Sequence, residues 1–405
     1  MVTPMLPYLE AVNAGALVMY AHMEALRARH EVTLATFEET GQIEWDAINR
    51  SLATGVDIHV VPRSKPSGIA RWVRRGRIAV GWLRGGRPLR ILESVDPPMQ
   101  HLIDRLLSEG RFDLVEMHYD MMAGYRYHDR PPATLIEHEV GLISASDDCE
   151  RATGRMRHLL SEIEWRRCRR YELEIWNDFD RIQVFTPRER AVICGLAPSL
   201  SERVWVNPFG IELPAAADPA REEADTIIFN GWFGHPPNVD AALWLGHEIM
   251  PLLRARRPGI RLTIVGDRPS EAVRALAGED ITVTGRVPMV EPYLERAAVV
   301  LAPLRDGGGM RRKVLQAMAL GKAVVTTPIG AEGLAVGNDE LPLVVAAGIE
   351  GIVNAVEILL DGREARHALG RRARTFVARH HGWSAYEQRL EAMYAGLSRT
   401  GATTQ

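Results

Sequence analysis

The chain has 405 residues, of which 46% are hydrophobic and 25% charged, and a formal net charge of -3. That length exceeds what one core holds and predicts two domains, while the near-neutral charge excludes a nucleic-acid binder that works by overall charge. No apolar run reaches the ~18 residues of a membrane span, and no basic stretch leads into an apolar core at the start, so neither a spanning helix nor a signal peptide is expected.

Residues 2–4 read as the end of a first strand, and 12–28 as a helix entered through Asn13-Ala14-Gly15. Strands are expected at 31–37 and 56–61. Residues 63–92 carry nine cationic residues, no acid, and interleaved Ile69, Trp72, Val73, Val80, Trp82 and Leu83. Such a segment suits an anionic lipid surface or an acidic acceptor; equally, it suits a helix that turns its tryptophans inward and solvates its arginines. A helix at 98–109, strands at 112–117 and 133–137, a charged helix at 151–178 and strands at 181–186 and 204–207 follow. Alternating strands and helices predict a doubly wound parallel sheet.

Residues 212–225 are rich in proline, alanine and acid and read as a linker. The pattern then restarts with strands at 226–230, 261–265 and 281–284 and helices at 239–255, 270–277 and 290–297. Residues 299–304 are an apolar run of the kind buried parallel strands show. Asp306-Gly307-Gly308-Gly309 follows, then a helical stripe through Lys313, Val314, Ala317 and Met318, stopped at Gly321, and a strand at 323–327. Strand, glycine loop, helix and strand make one βαβ unit, in which backbone N–H groups at the helix start can face an anion. Arg311, Arg312 and Lys313 sit where the helix dipole repels cations, which a bound phosphate would explain; solvated surface charges are the other reading. Three terminal helices are expected at 351–361, 364–380 and 384–397, and three scattered cysteines without CxxC spacing suit a reducing, cytoplasmic setting.

HPPNVDAALWL (235–245), LTIVGDRPS (262–270), VNPFGIEL (206–213) and the stretch 283–334 resemble the group-1, family 4 glycosyltransferases of the GT-B fold, nearest to exopolysaccharide-type sugar transferases. TPMLPY (3–8), HEVTLATF (30–37) and FDLVEMHY (112–119) fit the same group more loosely. The resemblance implies an α/β protein of two Rossmann-like domains facing a central cleft: an acceptor domain at 1–211, a linker at 212–225, a nucleotide-sugar domain at 226–380, and 381–405 packing back on the first domain. It implies an enzyme of the hexosyltransferase type (EC 2.4) that moves a sugar from a nucleoside diphosphate sugar to a glycan or lipid-linked acceptor. Retention of configuration, no metal and no cofactor beyond the co-substrate are implied. Nucleic acid is not an expected partner. An anionic membrane surface, met through 63–92 at the inner face, is an open option.

The same resemblance suggests site residues. Gly307, Gly308 and Gly309 would let backbone approach the donor, with Lys313 reaching the diphosphate, Gly15 approaching from the other domain, and Glu332 in a loop beside the donor. His138, at the end of an N-domain strand, would lie near the reacting sugar; of the flanking Glu137 and Glu139, one, with Glu137 put forward, is offered as a base for the acceptor hydroxyl, and solvated loop acids are the other reading. The chain departs from the family in two places. Gly308 and Gln316 stand where the wider family has two glutamates, the second of which bonds the ribose. After the first C-domain strand, Asn230 and Gly231 lead into a loop without the usual arginine and lysine, leaving Arg286, Arg305, Arg311 and Arg312 as candidate phosphate ligands. These departures motivate a second reading, a catalytically silent GT-B subunit that scaffolds a partner. A nucleotide-sugar epimerase lacks the further acids it would need, and an NAD-dependent oxidoreductase lacks a GxGxxG after either first strand.

Overall fold

The computed structural model describes residues 1–8, 14–38, 45–46, 48–50, 55–63, 68–110, 112–127, 131–307, 310–336, 339–395 and 397. The chain divides into two compact units, one of residues 1–207 with 387–405 and the other of residues 208–386.

The first unit is built on seven parallel strands: β1 (Val2–Thr3), β2 (Thr33–Glu38), β3 (Asp57–Pro62), β4 (Val115–His118), β5 (Ala133–Ile136), β6 (Arg181–Val184) and β7 (Val204–Val206). Their order is β3-β2-β1-β4-β5-β6-β7. Phe37, Met117, Leu135 and Trp176 are fully buried in its core. Strands covered on both faces are largely apolar, as Val204–Val206 is, but β4 and β6 also bury Glu116, His118 and Gln183. The last helix, Trp383–Tyr394, starts in the second unit and ends in this one, where Arg389 Nε donates to Asn207 Oδ1 at 2.9 Å.

The second unit has six parallel strands: β8 (Thr226–Asn230), β9 (Arg261–Val265), β10 (Ile281–Val283), β11 (Val299–Ala302), β12 (Ala323–Thr326) and β13 (Val344–Val345), in the order β10-β9-β8-β11-β12-β13. Its core gathers Phe229, Ile264, Leu301, Val325 and Val356. The helix after β8 is interrupted: Pro236–Trp244 passes into a π turn at Leu245–Ile249 and resumes at Met250–Arg256. Pro251 lacks the N–H that a regular turn would use, so the wider turn upstream costs less there.

The stretch read as a linker is bound tightly to the second unit. Glu222 is buried against Lys322 at 3.0 Å, Arg366 at 2.5 Å and His367 at 3.1 Å, and Glu223 N–H donates to the Arg296 carbonyl at 2.8 Å. One carboxylate facing three cationic or polar partners stays ionised, its pKa lowered chiefly by the Arg366 and Lys322 hydrogen bonds against the opposing pull of burial.

Both sheets reverse their strand order once, between β1 and β4 in the first and between β8 and β11 in the second. In open α/β sheets the crevice outside the carboxyl ends at such a reversal is where ligands bind.

Candidate functional site: two switch points of unlike charge

At the second unit's reversal, β8 ends in the buried Asn230 and continues into Gly231, whose N–H donates to the Val265 carbonyl at 2.9 Å. A Cβ on Gly266 would fall 1.7 Å from the Gly231 oxygen, so these strand ends approach as closely as glycine allows. Helix Pro236–Trp244 begins just beyond, and Asn238 in its first turn donates through Nδ2 to the Trp232 carbonyl at 2.7 Å.

From the other side of the reversal comes Lys313, in the first turn of helix Arg312–Ala319 after β11. Its Nζ donates to Asn238 Oδ1 and lies 4.8 Å from the Phe229 ring centre. A Cβ on Gly231 would meet that Nζ and the Asn238 amide carbon at 3.0 Å, so the glycine lets both side chains close over the strand end without displacement. Among the described residues no carboxylate pairs with Lys313. Burial, then repulsion from Arg311, pushes its pKa down to about 7. The outcome is a packed ammonium held over the end of β8 by one neutral acceptor.

Arg311 holds the neighbouring loops together. It is buried, donates to the Gly307 carbonyl at 2.6 Å and to the Ile329 carbonyl at 3.3 Å, and so ties the loop after β11 to the short helix Pro328–Ala331 after β12. Gly307 takes φ +109, a conformation open to glycine. Gly308 and Gly309 lie outside the described residues. Glu332 follows Pro328–Ala331 as a half-buried residue on that same tied loop.

Two arginines that the sequence offered as phosphate ligands are placed otherwise. Arg305 forms a two-pronged pair with Asp240 at 3.0 and 2.6 Å and lies over the Trp244 ring, so its charge is already answered. Arg286 is exposed after Gly285, following β10, the edge strand two places from β8 and not at the reversal. Gln316, one turn along from Lys313, donates to Glu291 Oε1 at 2.8 Å. Sequence reasoning missed Glu291: a carboxylate stands beside the glutamine after all, brought from a different helix, Glu291–Arg296. It missed Asn238 as well, although PPN in the 235–245 motif was its signal.

The first unit's reversal collects a different set. β4 ends at His118, and Tyr119 beyond it takes φ +70. His118 Nδ1 lies 2.9 Å from His138 Nε2, and the His138 ring stacks on Tyr119 with centres 4.2 Å apart and planes 10° apart. Helix Ala14–Arg27 contributes the buried His22, whose Nε2 is 3.0 Å from Glu116 of β4. Gly15 is the second residue of that helix, so it lies within the first turn. Burial and the neighbouring His22 push His138 down to about 3, and burial also holds His118 well below its usual range. Both rings are therefore neutral at pH 7, and one donates to the other. His22, Glu116 and His118 have ligating atoms within 4.8 Å of one another, the one such group among the described residues.

Glu137 is the correction in this unit. It is fully buried, and Trp176 Nε1 donates to its Oε1 at 3.0 Å. Burial, with Asp120 and Glu172 nearby, holds its pKa well above the usual carboxylate range. A general base must touch the hydroxyl it deprotonates; this carboxyl faces the core. It belongs to a cluster in which Arg90 pairs with Asp120 and, at 2.8 Å, with Glu172, itself pushed up to about 8 by burial and by Asp120.

Residues 224–362 match the family model for glycosyl transferases group 1. An uncharacterized 44.6 kDa protein of the cps region of Klebsiella pneumoniae is 26% identical over 28% of this chain, a match spanning about a third (34%) of that relative's length. Among solved structures, sucrose-phosphate synthase from Thermosynechococcus elongatus superposes with a TM-score of 0.68 at 15% identity over 98% of both chains. HepE from Anabaena, solved with UDP and glucose, gives 0.67 at 12% over 98% of this chain and 99% of its own. A variant of TarM from S. aureus, in complex with Fondaparinux, alpha-GlcNAc-glycerol and UDP, gives 0.67 at 9% over 97% and 99%. The architecture of two parallel sheets is thus GT-B across nearly the whole chain, and the match to group-1 glycosyl transferases lies within the second unit, over residues 224–362.

Proposed function

We propose that this chain is a group-1 glycosyltransferase that takes a nucleoside diphosphate sugar, with UDP as the nucleotide, at the β8/β11 reversal and passes the sugar to a glycan or lipid-linked glycan acceptor in polysaccharide assembly. The observation that carries the reading is Lys313: an ammonium packed at the switch point with Asn238 as its acceptor and, among the described residues, no carboxylate paired with it. A diphosphate would supply the missing negative charge, and the ammonium would then stabilise the charge that grows on the leaving group. That role needs no metal, and we read the reaction as metal-independent and retaining. Gln316 with Glu291 provides an acceptor pair for the ribose hydroxyls, and the neutral His138 provides a hydrogen-bonding group for the reacting sugar or its acceptor. The UDP preference is supported by the bound ligands named for HepE and TarM, and the polysaccharide context by the cps-region relative. The setting we propose is the inner face of the cytoplasmic membrane, with peripheral association.

The test is thermal denaturation with UDP, GDP, ADP, dTDP and CDP, followed by release of UDP from a panel of UDP-sugars. Stabilisation by UDP that disappears in Lys313→Ala is expected. Stabilisation by none of the five would overturn the donor-site reading and favour the silent subunit.

A further inference from the structure

The helix Gly68–Arg84 turns the wrong side to water. At 3.6 residues per turn, Ile69, Trp72, Val73, Val80 and Leu83 fall within about 100° of one another around its axis. This stripe is exposed: Ile69 at 83%, Trp72 at 71% and Leu83 at 73%. The opposite side is the one that packs. Ile78, Gly81 and Trp82 are half-buried there, Trp82 Nε1 donates to Glu164 at 3.0 Å, and Arg167 lies 4.1 Å over the Trp82 ring. The helix is therefore already docked, and its apolar stripe is a second face, covered by nothing among the described residues.

The charges frame that stripe. Arg77 and Arg84 border it on one side and Arg75 on the other, with Arg75 5.8 Å from the Trp72 ring centre; all are exposed, as is Arg71. Residues 63–92 contain no aspartate or glutamate. An apolar stripe with cations along both edges matches a surface that is negative on a broad front and apolar just beneath. A nucleic acid offers the first without the second. The helix, 17 residues long, lays about 25 Å of stripe along such a surface.

We propose that this face is a membrane-docking surface: Gly68–Arg84 lies in the headgroup region of an anionic leaflet, with Ile69, Trp72 and Leu83 inserted and the flanking arginines on lipid phosphates. The inference deepens the reading above, in which the acceptor is carried on a lipid, because it names the surface that would bring the enzyme to that acceptor.

The experiment is co-sedimentation of the full chain with phosphatidylcholine vesicles, with and without phosphatidylglycerol, at low and high salt, with tryptophan emission read in parallel. Binding that requires phosphatidylglycerol, a blue shift lost in Trp72→Phe, and a fraction that survives high salt are expected. The triple substitution Arg75→Gln, Arg77→Gln, Arg84→Gln should lower partitioning about 100-fold, and Ile69→Ser with Trp72→Ser about tenfold. These positions are exposed, so melting temperature and the UDP-induced shift should stay as in the parent. Equal binding to both vesicle types, binding wholly abolished by salt and indifferent to the Ile69/Trp72 change, or binding to RNA in place of vesicles would each overturn the proposal. Lost vesicle binding with an intact UDP shift would sink the docking surface alone. Intact vesicle binding without a UDP shift would sink the donor-site reading alone.

Discussion

The two strand-order reversals have the same geometry and opposite electrostatics. At β1/β4, His22 answers Glu116, and His118 and His138 answer each other as neutral rings. At β8/β11, Lys313 is packed almost as closely, yet its partner is the neutral Asn238. The first site has its charges settled within the protein; the second leaves one open. A buried cation without a counter-charge is costly in an empty protein, and it is a sensible cost where the missing charge belongs to a substrate. The same fold thus holds an internally paired polar site and, in our reading, one that awaits an anion, by the choice of a few strand-end residues.

The largest break in this contrast should come from Lys313→Ala, for which kcat/KM with the UDP-sugar is expected to fall ~100- to 1,000-fold, alongside loss of the UDP thermal shift. His138→Phe keeps a ring to stack on Tyr119 but removes the bond to His118. Steady-state assays should find kcat lower by about ten- to a hundredfold with UDP affinity unchanged, separating the two sites kinetically. The pH dependence of UDP affinity tests Lys313 more finely. A bound diphosphate raises the ammonium's pKa above its free-state value of about 7. Affinity is therefore full below that value and falls by up to ~tenfold per pH unit above it, as calorimetric titration would show. Asn238→Asp supplies the absent carboxylate, and should lower affinity and flatten that profile.

The smallest effect concerns the buried carboxyls. Glu137 and Glu172 have folded-state pKa values raised above the unfolded ones, so the folded state binds more protons and their stabilisation is full below the ordinary carboxyl range. It is lost as pH rises through about 8, the Glu172 value. Glu137→Gln keeps a group for Trp176 and cannot ionise. Its melting temperature relative to the parent should rise by about a few degrees between pH 6 and pH 8.5. An unchanged difference across that range would remove Glu137 from the titrating cluster.

Much of this was legible in the chain itself. Apolar runs such as 299–302 and 323–325 announce strands buried on both faces, because the need for apolar side chains is local to each strand. The glycine loop, the helix through Lys313 and the stop at Gly321, which takes φ +78, were visible for the same reason: backbone geometry restricts residue type at single positions. The family resemblance rested on those motifs. What the sequence could not settle were relations between distant segments. Lys313 meets Asn238 across 75 positions, and Gln316 finds Glu291 across 25, because strand order brings their helices together. Arg305 looked free until Asp240 was placed against it, and Glu137 looked like a site residue until its side chain proved to face the core. In 63–92 the sequence allowed tryptophans turned in or out, and tertiary packing chose both, Trp82 inward and Trp72 outward. Local sterics and hydrophobicity act through neighbours in the chain; burial and charge pairing act through neighbours in space, and only the folded chain decides who those are.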